Sequence, residues 1–188
     1  MKKSKTLGKA VKTVIRDTAE IAGFLWQRGW AERNAGNISV NITDVWQGTI
    51  SEFSSCPVFN LNVAYPKLAG NYFLVTGTGK RMRDLSRKPL KNMLVFRMNE
   101  DGNAYTIIAQ KDSDVDFLPT SELPTHLEIH QMIASRGTAE KVVMHTHATE
   151  LIALTQCKEF CNQDVLNNIL WSMHPETIMF VPKGIGFV

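Results

Sequence analysis

The chain lacks the features that mark several large classes of protein. Its three cysteines, Cys56, Cys157 and Cys161, are too few and of the wrong parity for a disulfide framework. Its longest apolar stretch, around residues 21–26, is far short of the ~20 residues that cross a bilayer. The basic N-terminal segment has no long apolar run followed by small residues, as a secretory signal would have. We therefore expect a cytoplasmic protein with no membrane partner.

The chain also lacks a strong charge of either sign. Its 21 basic and 18 acidic residues give a net charge of +3, and the excess lies mostly in the first dozen residues. No basic stripe interleaved with aromatic residues follows, so we expect no nucleic-acid partner. The length of 188 residues and the 44% hydrophobic content are typical of one globular domain, which we predict over residues 1–188.

Hydrophobic periodicity and turn residues predict the main elements. Apolar residues recur at helical spacing over residues 9–28 and stop at Gly29, and a half-buried strand is predicted over residues 38–42. Residues 71–76 read as a buried strand, and residues 94–98 and 105–109 as a hairpin. A helix over 121–135 precedes a strand over 141–146, whereas residues 44–70 read as a long surface excursion. This order predicts an α/β fold with a mixed or largely antiparallel sheet and helices packed on it.

The triplet His145-Thr146-His147 is the clearest candidate metal site. Side chains at positions i and i+2 of a strand emerge on the same face, so two imidazoles can bind one cation. Zinc takes three or four nitrogen, sulfur or oxygen ligands, and catalytic zinc leaves one position open. The alternative is a pair of hydrogen-bonded histidines at a strand end. Cys157 and Cys161, predicted on one helix face, offer either half of a second site or inert packing.

A carboxylate and two hydroxyls lie just upstream of this triplet. Thr120 and Ser121 either cap the predicted helix or bind an anion at its N-terminus. Glu122 follows them, and a helix with a short turn would bring the chain back to His145 and His147. We expect Glu122 to face the metal, either as a ligand or as a general acid and base.

Two glycine-containing turns offer further anion sites. In the run from Thr76 to Lys80, the backbone N–H groups around Gly77 can cradle a phosphate. In the run from Asn34 to Asn37, Gly36 permits close approach and the two amides can donate to ester oxygens. Neither turn matches a P-loop or a dinucleotide fingerprint.

These segments together resemble the class II, zinc-dependent sugar-phosphate aldolases, which share a fold with ribulose-phosphate 4-epimerases. The resemblance rests on NAGNIS, FLVTGTGKRMRDL, LPTSELPTHLEIH and VVMHTHATELIAL, and it covers nearly the whole chain. It implies a homotetramer whose subunits carry helices on both faces of a central sheet. The implied reaction is the reversible cleavage of L-rhamnulose 1-phosphate into dihydroxyacetone phosphate and L-lactaldehyde.

The resemblance also implies a role for each site residue. One zinc ion per subunit would be held by His145 and His147, with Glu122 as the general acid and base. The implied pocket for the substrate and its phosphate comprises Asn34, Gly36, Asn37, Thr76, Gly77, Thr120 and Ser121. Alternatives of the same fold are a pentulose-phosphate 4-epimerase or related class II enzyme, and a non-catalytic assembly module.

One departure from the family concerns the third zinc ligand. The family places a third histidine well after the His-x-His strand, and no histidine here aligns with it. His126 and His130 are weak candidates to substitute for it. We therefore expect that the chain is C-terminally truncated relative to the family, and that this form binds zinc weakly and has little aldolase activity.

Overall fold

The computed structural model of the chain describes residues 7–47, 56–109 and 118–186. It contains two compact units, Met1–His147 and Ala148–Val188. A single domain over residues 1–188 stays a prediction. Among the helices of the described residues, none combines the length and the apolar character needed to span a membrane.

Helix α1, Lys9–Arg28, confirms the prediction from periodicity. Its buried positions, such as Val11, Ile15 and Ala22, lie along one face, as the spacing requires. Gly29 ends the helix in the left-handed conformation at φ 82°, and its N–H group bonds the carbonyls of the last turn. A glycine adopts this conformation without the penalty that a Cβ brings.

The first unit is built around an antiparallel sheet. Within the described residues the sheet has six strands in the order β2-β5-β4-β3-β1-β6, and neighbouring strands pair antiparallel. The strands are β1 (Asn37–Asn41), β2 (Val58–Asn60), β3 (Tyr72–Thr76), β4 (Met93–Met98), β5 (Ala104–Ala109) and β6 (Val142–His145). The β4–β5 hairpin confirms the prediction from its Asp-Gly turn, in which Gly102 has φ 68°.

Helices cover both faces of this sheet, as predicted. Tyr72 and Leu74 of β3 pack in a core with α1 and α2 (Met82–Arg87). The alternate residues Phe73 and Val75 pack on the other face with α3 (Leu123–Arg136). Helix α3 ends at Gly137 with φ 65°, also as predicted. The central strands therefore lie between two apolar cores, one on each face of the sheet.

Three predictions of local structure need correction. Strand β1 is buried on both faces rather than half-buried, because its polar Asn37 and Ser39 bond partners beneath the sheet surface. Residues 44–70 contain the edge strand β2 and two short 3-10 helices, at Thr43–Val45 and Pro66–Leu68; residues 48–55 lie outside the described residues. Cys157 and Cys161 are not on one helix, since they flank a 3-10 turn at Lys158–Phe160.

The second unit holds helices α4 (Thr149–Thr155), α5 (Gln163–Met173) and α6 (Thr177–Phe180). Asn162 caps α5 by accepting hydrogen bonds from the N–H groups of Asp164 and Val165. The buried Asn167 exchanges two hydrogen bonds with the backbone of Ile185, which fastens the chain after α6 to α5.

Candidate active site

The pairing of β1 with β6 positions the histidines. His145, the last residue of β6, lies opposite Asn37, the first residue of β1. The turn before β1 passes so close that a Cβ built on Gly36 would lie 3.0 Å from the carbonyl oxygen of His145. Gly36 also has φ 79°, which L side chains rarely adopt. Both facts explain the glycine at this position.

The structure brings the predicted histidine pair and the glutamate together. The ring centroids of His145 and His147 are 5.0 Å apart, and the rings are tilted by 54°. Oε2 of Glu122 lies 2.5 Å from Nδ1 of His145. The His145 and Glu122 side chains are 39% and 40% exposed, so water and small solutes reach this contact.

Trp30 fixes the segment that carries the two rings. Its carbonyl oxygen accepts a hydrogen bond from the N–H group of His147 at 2.8 Å and another from the hydroxyl of Thr146 at 2.6 Å. His147 therefore has a defined place although β6 ends at His145.

Glu122 is held by the approach of the chain to α3. Thr120 donates its N–H to the carbonyl of Thr76, and its hydroxyl accepts from the N–H of Glu122 at 3.3 Å. Glu122 is the N-cap residue of α3, but its side chain makes no capping hydrogen bond and contacts His145 instead. Ser121 is exposed. Thr120 thus has a structural role in this turn, and substrate contacts of Thr120 and Ser121 stay predictions.

A cavity of about 360 Å³ opens beside the carboxylate. It is lined by Glu32, Arg33, Asn34, Ala35, Gly36, Glu122 and His147. It therefore joins four residues that the sequence singled out with two that it missed, Glu32 and Arg33. Arg33 has φ 50°, an unusual value for a residue other than glycine. Nothing in the sequence pattern distinguishes this pair beyond its place next to Asn34.

The second glycine turn does not present its backbone donors as predicted. The N–H groups of Gly77, Thr78 and Lys80 donate to the carbonyls of Asn92, Leu118 and Gly77. The Thr76 hydroxyl, 1% exposed, accepts from the N–H of Ile38 and donates to its carbonyl. These groups link the protein's own strands and loops, so a phosphate cradle made of those three N–H groups is wrong. Other substrate contacts of Thr76 and Gly77 stay predictions.

His126 and His130 are not spare metal ligands. Nδ1 of His126 and Nε2 of His130 lie 2.7 Å and 2.8 Å from the hydroxyl of Ser39, and Nε2 of His126 contacts Oδ1 of Asn37. Burial lowers the pKa of each ring to about 4. Both ring nitrogens of His126 and Nε2 of His130 are thus engaged within the protein, and the structure gives no support to either as a third ligand. Ser39, which joins the two rings, was missed because a serine on a strand gives no signal of its own.

The donors around the cavity suit a divalent metal in type. Two imidazoles and one carboxylate are ligands that catalytic zinc uses, and a carboxylate on one ring nitrogen also orients a metal-binding histidine. In the part of the chain that the structure describes, no group of three His, Cys, Asp or Glu side chains is arranged to hold a metal ion. His145, His147 and Glu122 are therefore of the right chemical type to bind a divalent metal, but their arrangement does not form a complete metal site.

Comparison with known proteins finds relatives over most of the chain. The model of the class II aldolase and adducin N-terminal domain family matches residues 16–187. Rhamnulose-1-phosphate aldolase of Bacteroides thetaiotaomicron is 46% identical over 180 residues, 95% of this chain and 65% of that protein. The enzyme of the same name from Listeria monocytogenes is 34% identical and is covered to 63%.

A solved structure shows the same fold. The sugar-phosphate aldolase from Thermotoga maritima superposes with a TM-score of 0.74 at 29% identity, over 93% of this chain and 69% of that one. The present chain spans slightly less than two thirds of the length of the curated relatives described above.

Proposed function

Because the chain belongs to the class II aldolase and adducin N-terminal domain family, we propose that it serves the reversible cleavage of L-rhamnulose 1-phosphate to dihydroxyacetone phosphate and L-lactaldehyde. The observation that carries this proposal is the contact between Glu122 and His145 beside the ring of His147. The substrate in this proposal is taken from the relatives that are named rhamnulose-1-phosphate aldolase.

Class II aldolases generally use a divalent metal, and we propose zinc, one ion per subunit, held by His145 and His147. Held by His145 and His147, a zinc ion would supply a Lewis acid for the negative charge that develops on the ketone oxygen. The two rings suit this role because they lie side by side and are each partly accessible.

Glu122 is the proposed general acid and base. Cleavage begins with removal of the proton from the C4 hydroxyl, and an Oε atom of Glu122 is the candidate acceptor. The C3–C4 bond then breaks, its electrons pass toward the ketone, and L-lactaldehyde leaves. C3 of the remaining three-carbon fragment needs a proton, and the carboxylic acid form of Glu122 can return one. This proposal is supported by the N-cap position of Glu122, whose side chain makes no capping hydrogen bond.

The walls of the cavity supply the proposed binding groups. Asn34 and Gly36 line the cavity directly, and Asn37 follows them at the start of β1. Amide N–H groups can donate to the oxygens of a phosphate or a hydroxyl. Thr76, Gly77, Thr120 and Ser121 are kept as candidate contacts on the adjoining turn. We further propose a homotetramer, as the family resemblance implies, and a cytoplasmic location, as expected from the sequence.

A coupled assay for dihydroxyacetone phosphate tests the proposal. The purified chain with excess zinc is given L-rhamnulose 1-phosphate, and product is followed by its NADH-dependent reduction. The rate is expected to be low, because His145, His147 and Glu122 are an incomplete ligand set. Glu122→Gln is expected to keep the fold and slow release by at least ~100-fold, because general acid–base catalysis contributes about that much. His147→Ala is expected to abolish zinc-dependent release.

His174→Ala is the matched control, since His174 is an exposed histidine of the other unit and should leave the rate unchanged. Near-normal release by Glu122→Gln would remove this residue from the mechanism. Turnover of a pentulose 5-phosphate without dihydroxyacetone phosphate would favour the epimerase alternative. Zinc binding without any turnover of either sugar would favour a non-catalytic module.

A further inference from the structure

A chain of buried hydrogen bonds runs beneath the site. It joins Asn37 to His126, His126 to Ser39, and Ser39 to His130. None of these four side chains is more than 5% exposed. Buried polar groups are costly unless every donor meets an acceptor, so the direction of each bond matters.

The orientation of the Asn37 amide sets the direction of every hydrogen bond in this buried series. Its Oδ1 atom faces Nε2 of His126 and can only accept, so Nε2 carries the proton and donates. A neutral imidazole has one N–H group, so Nδ1 of His126 accepts from the hydroxyl of Ser39. The Ser39 oxygen then accepts from Nε2 of His130. Burial, which lowers the pKa of both rings to about 4, keeps them neutral near pH 7.

Asn37 is also a neighbour of the metal-binding histidine. It lies directly opposite His145 in the β1–β6 pair, and opposed residues of an antiparallel pair share a face of the sheet. Glu122 and His126 stand four residues apart at the start of α3, so they also share a side of that helix. The buried series of hydrogen bonds therefore ends at Asn37, which lies next to His145 in the sheet.

We propose that His126, oriented by Ser39 and His130, is a positioning residue that fixes which end of the Asn37 amide faces the substrate. The two ends of an amide are alike in shape and opposite in hydrogen bonding. With Oδ1 held by His126, the Nδ2 donor is the end turned away from the ring. A flipped amide would present an acceptor to the oxygens of an anionic substrate. This inference rests on the proposed function, in which Asn37 binds a phosphorylated ketose.

The first test reads the proton positions without any substrate. Long-range ¹H–¹⁵N correlation spectra of the chain near pH 7 distinguish the two neutral forms of histidine and the charged ring. The expected result is that His126 and His130 both carry their proton on Nε2. Protons on Nδ1 of both rings would mean that every hydrogen bond in the series has the opposite direction and that the Asn37 amide is flipped. This result would overturn the proposal. A charged His126 would do the same.

The second test separates positioning from support of the fold. In His126→Gln the new amide nitrogen falls near the place of Nε2 and can still donate to Asn37, whereas in His126→Asn it falls near the place of Nδ1 and cannot. Dihydroxyacetone phosphate is the probe, titrated into the zinc-supplemented chain. His126→Gln is expected to stay within about threefold of wild-type affinity, and His126→Asn to lose about tenfold, the worth of one such hydrogen bond.

The double variant His126→Asn with Asn37→Ala closes the test. If His126 acts through Asn37, the double variant binds no more weakly than Asn37→Ala alone. Equal losses in His126→Gln and His126→Asn, or losses that multiply in the double variant, would overturn the proposal. Wild-type protein that binds no dihydroxyacetone phosphate would count against the proposed function, while the spectra would still decide the orientation of the amide.

Discussion

Replacement of Gly36 by alanine is the sharpest structural perturbation that the site offers. The added Cβ would stand 3.0 Å from the carbonyl oxygen of His145, and 3.5 Å from the side chains of Ala31 and Met82. The backbone oxygen cannot move without moving the end of β6, which carries His145. Gly36 also holds φ 79°. The variant therefore combines backbone strain with a steric clash at the edge of the site.

The size of the effect follows from these two terms. A left-handed conformation costs an L-residue about 1–2 kcal/mol, and filling a well-packed space adds about 1–3 kcal/mol. Alanine offsets about 0.4–1 kcal/mol of this by restricting the unfolded chain. We therefore expect Gly36→Ala to lower the free energy of unfolding by about 1–5 kcal/mol.

Gly137→Ala is the matched control, because Gly137 has φ 65° and, among the described residues other than its neighbours along the chain, none has a heavy atom within 4 Å of the place that its Cβ would take. Its free energy of unfolding should fall only by the cost of the left-handed conformation, about 1 kcal/mol after the same offset. Urea unfolding followed by circular dichroism measures both variants. Equal losses in the two would refute the argument that close approach to His145 explains Gly36.

Two further perturbations act on the buried hydrogen bonds that join Ser39 to His126 and His130. Ser39→Ala should cost about 2–6 kcal/mol in urea unfolding, because it leaves a donor on His130 and an acceptor on His126 without partners. Ser172→Ala, at an exposed serine, is the control, and equal losses in the two variants would contradict this reading. Stability should also fall with acidification between about pH 6.5 and the folded pKa of about 4 for His126 and His130, since in that window only the unfolded chain binds their protons. The slope should reach about 1.4 kcal/mol per pH unit for each ring, and a flat profile down to about pH 4.5 would show that the rings are not held neutral.

The elements that could be predicted from the sequence are those whose cause is local. Helix α1 follows from the 3.6-residue period and Gly29, and the β4–β5 hairpin from its Asp-Gly turn. Strand β2 gave no signal, because three residues are too few to show a period and its order depends on pairing with the distant β5. Cys157 and Cys161 were misplaced because the chain turns between them.

The site was predictable where one short connection determined it. A helix, a turn and a strand return the chain from Glu122 to His145, so their proximity follows from the order of elements. The phosphate cradle at Gly77 failed because a sequence shows N–H donors but not the remote carbonyls, such as that of Leu118, which they meet. The link from Ser39 to His126 and His130 spans about ninety residues and has no local signature.

X-ray absorption at the zinc edge would show whether His145 and His147 jointly bind a metal beside Glu122, as we propose. The zinc-loaded chain should show two imidazole nitrogens at about 2.0–2.1 Å with oxygen completing the shell. His147→Ala should lose one imidazole, while His174→Ala should leave the spectrum unchanged. A sulfur shell at about 2.3 Å, or a spectrum that His147→Ala does not alter, would place the metal elsewhere and contradict the account.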